Sequence, residues 1–177
     1  MIITVYGGSA NGKSEYAEDL ASSLSENPIY IATMLPGGTE AAERIEKHNR
    51  QRHGKNFIIK EHFLGLKSIR LPFGCTVLLE CVSNLLANEM FTESGAESKS
   101  IIAVMDGIKR IIKISRHLII VSNNVFEDGQ KYDEATNKYI SNLAKINEEL
   151  MKISDVFIEI VCGLPVFFKG NLNENLD

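Results

Sequence analysis

Gly7-Gly8-Ser9-Ala10-Asn11-Gly12-Lys13-Ser14 follows directly on the apolar run Met1-Ile2-Ile3-Thr4-Val5-Tyr6 and leads into a helix-compatible run from Ser14 to Leu24. The eight residues spell G-x-x-x-x-G-K-S, the P-loop pattern, and they stand where that pattern has meaning, between a β-branched strand and a helix. The glycines let the backbone curl so that its N–H groups point inward, and the helix that follows adds its positive N-terminal end. Lys13 is placed to reach β- and γ-phosphates, and the Ser14 hydroxyl is placed to meet Mg²⁺. A plain strand-to-helix turn would explain the glycines but not Lys13 and Ser14 together.

Outward from this loop, apolar runs alternate with helical patterns. The expectation is an α/β fold, a P-loop NTPase-type three-layer sandwich around a mainly parallel sheet. Strands are predicted over Ile2–Tyr6, Ile29–Thr33, Phe57–Lys60, Thr76–Cys81, His117–Ser122 and Val156–Val161. Helices are predicted over Lys13–Ser25, Glu40–Arg52, Val82–Phe91, Lys99–Ser115 and Glu134–Ile153. In the fourth helix Ile101, Ile102, Met105, Ile108, Ile111 and Ile112 form a stripe of core residues. The chain of 177 residues reads as one nucleotide-binding domain over residues 1–170 with a polar tail over 171–177.

Composition narrows the function classes. Hydrophobic residues make up 44% and charged residues 24%, ordinary for a globular protein, and the net charge of −4 with no Lys/Arg block argues against a nucleic-acid partner. No stretch approaches the length of a membrane span, and the N-terminus lacks the basic and apolar regions of a secretory leader. Cys75, Cys81 and Cys162 lack metal-ligand spacing and are expected as buried free thiols of a cytoplasmic protein.

In open α/β sheets ligands bind beyond the carboxyl ends of the strands. Thr33, Glu80 and Ser122-Asn123-Asn124 occupy such ends. Glu80 has two functional roles open to it, holding Mg²⁺ or taking a proton from an acceptor hydroxyl, besides the plain reading of a solvated strand-end carboxylate. The segment Glu40–Arg52 has a thin apolar face, and Arg44, His48 and Arg52 share its opposite face at i, i+4, i+8. Glu40–Arg44, Glu43–Lys47 and Glu46–Arg50 fit a merely solvated helix. The functional alternative is a phosphate-contacting face on which two guanidinium groups keep His48 neutral and nucleophilic. His53, His62 and His117 read as ordinary.

Several landmarks then coincide: the P-loop after a very short strand, Tyr30-Ile31-Ala32-Thr33, Arg44-Ile45-x-x-His48, Leu78-Leu79-Glu80-Cys81 with Asn84-Leu85-Leu86, Val121-Ser122-Asn123, Asn147, and Gly163-Leu164-Pro165 with Lys169-Gly170. In order and spacing the chain resembles the bifunctional adenosylcobinamide kinase/adenosylcobinamide-phosphate guanylyltransferase family of cobalamin assembly, over roughly Met1 to Gly170. The resemblance implies phosphorylation of the aminopropanol hydroxyl of adenosylcobinamide by a nucleoside triphosphate. GMP is then transferred from GTP through a histidine to the phosphorylated corrinoid. ATP and GTP are the implied substrates, Mg²⁺ the implied cofactor, and a homotrimer the implied assembly. Implied nucleotide contacts are Gly7, Gly8, Ser9, Ala10, Asn11, Gly12, Lys13, Ser14, Ile31, Ala32, Thr33, Glu61 and Glu80, and the helix-face reading adds Arg44 and Arg52 as phosphate contacts. His48 is the implied guanylylated residue. The family's Asn-Glu-x-Gly after the fifth strand is Asn123-Asn124-Val125-Phe126 here, and its Arg, Asp and Gly on the last helix are Asn137, Ser141 and Ala144. A P-loop kinase of another small hydroxyl compound and a non-catalytic nucleotide-binding relative are the alternative readings.

Overall fold

The computed structural model describes residues 1–36, 54–125 and 132–172. The predicted helix Glu40–Arg52, with Arg44, His48 and Arg52, lies outside these residues. So does most of the polar tail. The strands are β1 (Ile2–Tyr6), β2 (Ile29–Ala32), β3 (Ile58–Glu61), β4 (Cys75–Leu79), β5 (Ser115–Val121), β6 (Val156–Val161) and β7 (Leu164–Lys169). The described helices are α1 (Lys13–Leu24), α2 (Val82–Phe91), α3 (Ser100–Ile114) and α4 (Glu134–Ile153).

One sheet runs in the order β3-β2-β4-β5-β1-β6-β7. Among the described residues every pairing is parallel except that of β7, which runs antiparallel to β6. The central strands are covered on both faces and accordingly read as near-continuous Ile, Leu and Val. On one face Val77, Leu79, Leu118, Ile120 and Phe157 pack with Leu85 of α2, Ile108 of α3 and Ile146 of α4. On the other, Ile3, Val5, Ile119, Ile158 and Ile160 pack with Ala17 and Ala21 of α1. These two alanines let α1 lie close against β1, which fixes the exit of the P-loop.

Three sequence expectations change. Ile102 is 61% exposed, because the buried stripe of α3 runs through Val104, Met105, Ile108 and Ile111 and leaves Ile102 on its outer side. Cys162 is exposed, and Cys75 and Cys81 are only partly covered, so the three free thiols are not uniformly buried. Strand β7 has no counterpart among the predicted strands: Pro165 argues against a central strand but is tolerated on an edge. It is reached by a two-residue turn in which both Cys162 (φ 51°) and Gly163 (φ 81°) adopt the left-handed region, the geometry that tight hairpins need. Cys162 thus sits in the turn, beyond the apolar run it follows, and meets solvent there.

Candidate nucleotide site

The P-loop is held from three sides. The Lys13 ammonium folds back to donate to the Gly8 carbonyl at 2.7 Å. The Asn11 side chain donates to the Ile160 carbonyl on β6. The Asn124 amide donates to the Gly7 carbonyl at 2.8 Å, tying the segment after β5 to the start of the loop. Gly7 has φ 146°, and a Cβ there would lie 2.8 Å from the Ile160 carbonyl oxygen. Gly7→Ala is therefore expected to push the loop off β6 and weaken ATP binding by about tenfold or more, measured by calorimetry, since a backbone clash so close cannot be absorbed by a side chain.

Beyond the strand ends lies a cavity of about 490 Å³ to which Ser9, Ala10, Asn11, Gly12, Lys13 and Ser14 contribute, together with Glu80. Lys13 and Glu80 are both buried, at 7% and 8% exposure. Burial pushes the Lys13 ammonium below the usual lysine range. A phosphate chain is the natural counter-charge for such a group. Glu80 is no solvated strand-end residue: its Oε2 accepts the Thr33 N–H at 2.8 Å, and its own N–H donates to the Ile31 carbonyl at 3.1 Å. The two bonds lock the ends of β2 and β4 together and aim the carboxylate into the cavity.

Other anticipated residues are placed differently. Thr33 is fully buried and is not among the lining residues: its N–H donates to Glu80 and its hydroxyl to the Cys81 carbonyl. Ile31 is fully buried in the core, and Ala32 is partly buried. Glu61 closes β3 at the sheet edge and is exposed, outside the residues that line this cavity. His62 bonds locally, its Nε2 3.2 Å from the Gly65 carbonyl. His117 Nδ1 is buried without a hydrogen-bond partner among the described residues.

Structure gives contacts to residues that the sequence names only as strand ends or landmarks, and adds Met34 and Asn88 to them. Met34, Cys81, Asn84 and Asn123 complete the cavity wall. Asn123 donates to Ser83 Oγ and, at 3.6 Å, to Cys81 Sγ. Asn147 of α4 holds it from behind: Ser122 Oγ donates to Asn147 Oδ1 at 2.5 Å, and Asn147 Nδ2 donates to the Asn123 carbonyl at 3.3 Å. Asn88 of α2 donates to the Thr33 and Phe63 carbonyls, anchoring the turn after β2. Asn147 is among the landmarks already singled out in the sequence, and it stands on an otherwise apolar helix face, whereas Asn88 shares its buried face with Ser83 and Glu89. Burial pushes the Cys81 thiol up, so it is a neutral wall of the site rather than a nucleophile.

The loop, the buried lysine, the carboxylate two strands away and the parallel sheet define a P-loop NTPase-type α/β protein. A solved structure described as a prototypical ATPase from the type III secretion system of pathogenic bacteria shares the fold, with a TM-score of 0.52 and 14% identity, over 94% of this chain and 56% of that one. The family model described as cobinamide kinase / cobinamide phosphate guanyltransferase matches residues 3–168, and the chain belongs to that family. Among its relatives is the bifunctional adenosylcobalamin biosynthesis protein CobU of Escherichia coli (strain K12), 26% identical over 188 residues, which span 96% of this chain and 100% of the relative. The protein of the same name from Salmonella typhimurium is 25% identical over 182 residues, again 96% and 100% of the two chains. No described helix is long and apolar enough to cross a membrane.

Proposed function

We propose that this protein phosphorylates the aminopropanol hydroxyl of adenosylcobinamide with a nucleoside triphosphate and then transfers GMP from GTP, through His48, to give adenosylcobinamide-GDP. Family membership supports the reaction class. The observation that carries the kinase half is the convergence of Lys13, Ser14 and Glu80 on one cavity at the carboxyl end of the sheet. The Ser14 hydroxyl and the Glu80 carboxylate are hard oxygen donors on the wall of that cavity, a set that suits Mg²⁺. The metal would neutralise charge on the β- and γ-phosphates.

In the first reaction the acceptor hydroxyl oxygen attacks the γ-phosphorus. The bond to the bridging oxygen breaks, the nucleoside diphosphate leaves, and the hydroxyl proton passes to Glu80. Lys13 and the loop amides stabilise the charge that develops. In the second, a His48 ring nitrogen attacks the α-phosphorus of GTP and expels pyrophosphate. A phosphate oxygen of the phosphorylated corrinoid then attacks the same phosphorus and frees the histidine. Arg44 and Arg52 are assigned to the α-phosphate, Glu61 and Glu80 to the guanine nucleotide, and Ala32 to the nucleotide at the end of β2, where the fully buried Ile31 and Thr33 support it from beneath. A cytoplasmic homotrimer belongs to the same reading, and native mass spectrometry tests the assembly.

The test is intact mass after incubation with Mg²⁺ and GTP. One acid-labile GMP adduct per chain is expected, absent in His48→Ala. An adduct that survives His48→Ala overturns the histidine assignment. No adduct, with corrinoid phosphorylation intact, leaves a kinase alone.

A further inference from the structure

We propose that the groove between α4 and the ends of β5 and β6 is the nucleoside pocket of the triphosphate that donates its terminal phosphate. The inference deepens the phosphate-site reading above and rests on it. The groove encloses about 640 Å³, enough for a purine nucleoside, and it adjoins the P-loop at Gly8 and Asn11. Asn11 also belongs to the phosphate cavity, so the two spaces meet at that residue.

The direction of the nucleotide follows from the strand order. The groups that act on the γ-end, Lys13, Ser14 and Glu80, face the cavity on the side of β5 and β4. Strand β6 flanks β1 on the other side. A triphosphate whose γ-end lies by Glu80 and whose middle is cradled by the loop leaves the loop toward β6, which is where the groove opens. It then presents its γ-phosphate, not its α-phosphate, to an acceptor on the Glu80 side. The groove therefore serves the kinase half of the reaction.

Its chemistry suits a base. Tyr139 and Ile140 of α4 line it together with Glu159 and Val161 of β6. Apolar and aromatic walls bury the faces of a heterocycle, and a carboxylate accepts from its amino or ring N–H groups. The Tyr139 ring is a fixed wall. Its hydroxyl donates to the Ser83 carbonyl at 3.2 Å, its ring sits 6.3 Å from that of Phe91, and burial keeps the phenol neutral, pushed up to about 12.

The test compares ATP, GTP and inorganic tripolyphosphate by calorimetry on the full chain, in wild type, Ile140→Trp, Val161→Trp and Lys13→Ala. Wild type is expected to bind the nucleotides at least about tenfold more tightly than tripolyphosphate, as burial of a heterocycle predicts. Each tryptophan variant should erase that difference and leave tripolyphosphate binding within about twofold. The two variants sit on different elements, α4 and β6, so a folding defect in one leaves the other to decide. Nucleotides that bind no tighter than tripolyphosphate to wild type, or as tightly to both tryptophan variants as to wild type, overturn the pocket. So does a rise in the KM for cobinamide alone, which gives the groove to the acceptor. Lys13→Ala that binds all three probes like wild type sinks the phosphate-site reading instead.

Discussion

Lys13→Ala is expected to lower kcat for phosphoryl transfer by about 10³-fold while the protein folds as before, because it removes the charge that the proposed reaction uses on the developing transition state. The fold is spared for an electrostatic reason. The Lys13 ammonium is buried and its pKa is held below the ordinary lysine value by desolvation, so the charged form costs stability in the folded chain. The sign is fixed by linkage. The unfolded chain binds this proton more tightly than the folded one, so the cost is full below the lowered folded pKa and is relieved as pH rises from there to the ordinary lysine value. Lys13→Ala should therefore be at least as stable as wild type at pH 7, with the difference closing in alkali. Thermal melts across pH check this, and a clear loss of stability in the variant would show that the bond to the Gly8 carbonyl outweighs desolvation.

Glu80 separates chemistry from architecture. Glu80→Gln keeps an oxygen that can accept the Thr33 N–H, so the joint between β2 and β4 survives, yet the carboxylate proposed to take the acceptor proton is gone. A fall in kcat of about 10²-fold or more with little change in melting temperature is expected. Glu80→Ala removes both functions. It leaves the buried Thr33 N–H unpaired, which costs about 1–3 kcal/mol in urea titration, on top of the kinetic loss. If the two variants melt alike, the Thr33 bond is not what joins the strands. If Glu80→Gln turns over like wild type, the proton goes elsewhere.

Much of this site is legible without the fold, because the P-loop binds phosphate through its own backbone and one short run of residues suffices to specify it. Glu80 is legible too, as a carboxylate ending an apolar run. What stays hidden depends on register between distant segments. Tyr139 and Glu159 come to line one groove only because α4 packs across the ends of β5 and β6, and no local pattern announces that pairing. Asn147 reaches Ser122 for the same reason. The hairpin of β6 and β7 escapes because its turn pairs Gly163 with Cys162, a residue that seldom takes a left-handed conformation, and because Pro165 disguises the strand.

The strand order also sets a timetable for the chain. Strand β1 is made before the other strands, yet its two neighbours are β5 and β6, more than a hundred residues later. Non-local pairings of this kind are slow, since the closing entropy precedes the reward. On the ribosome the loop that grips phosphate thus has no rigid frame until β6 has been made, and a nascent chain gains affinity for nucleotide only once that strand has emerged. Until then Ile2-Ile3-Thr4-Val5 lacks both of the strands with which it pairs in the finished sheet.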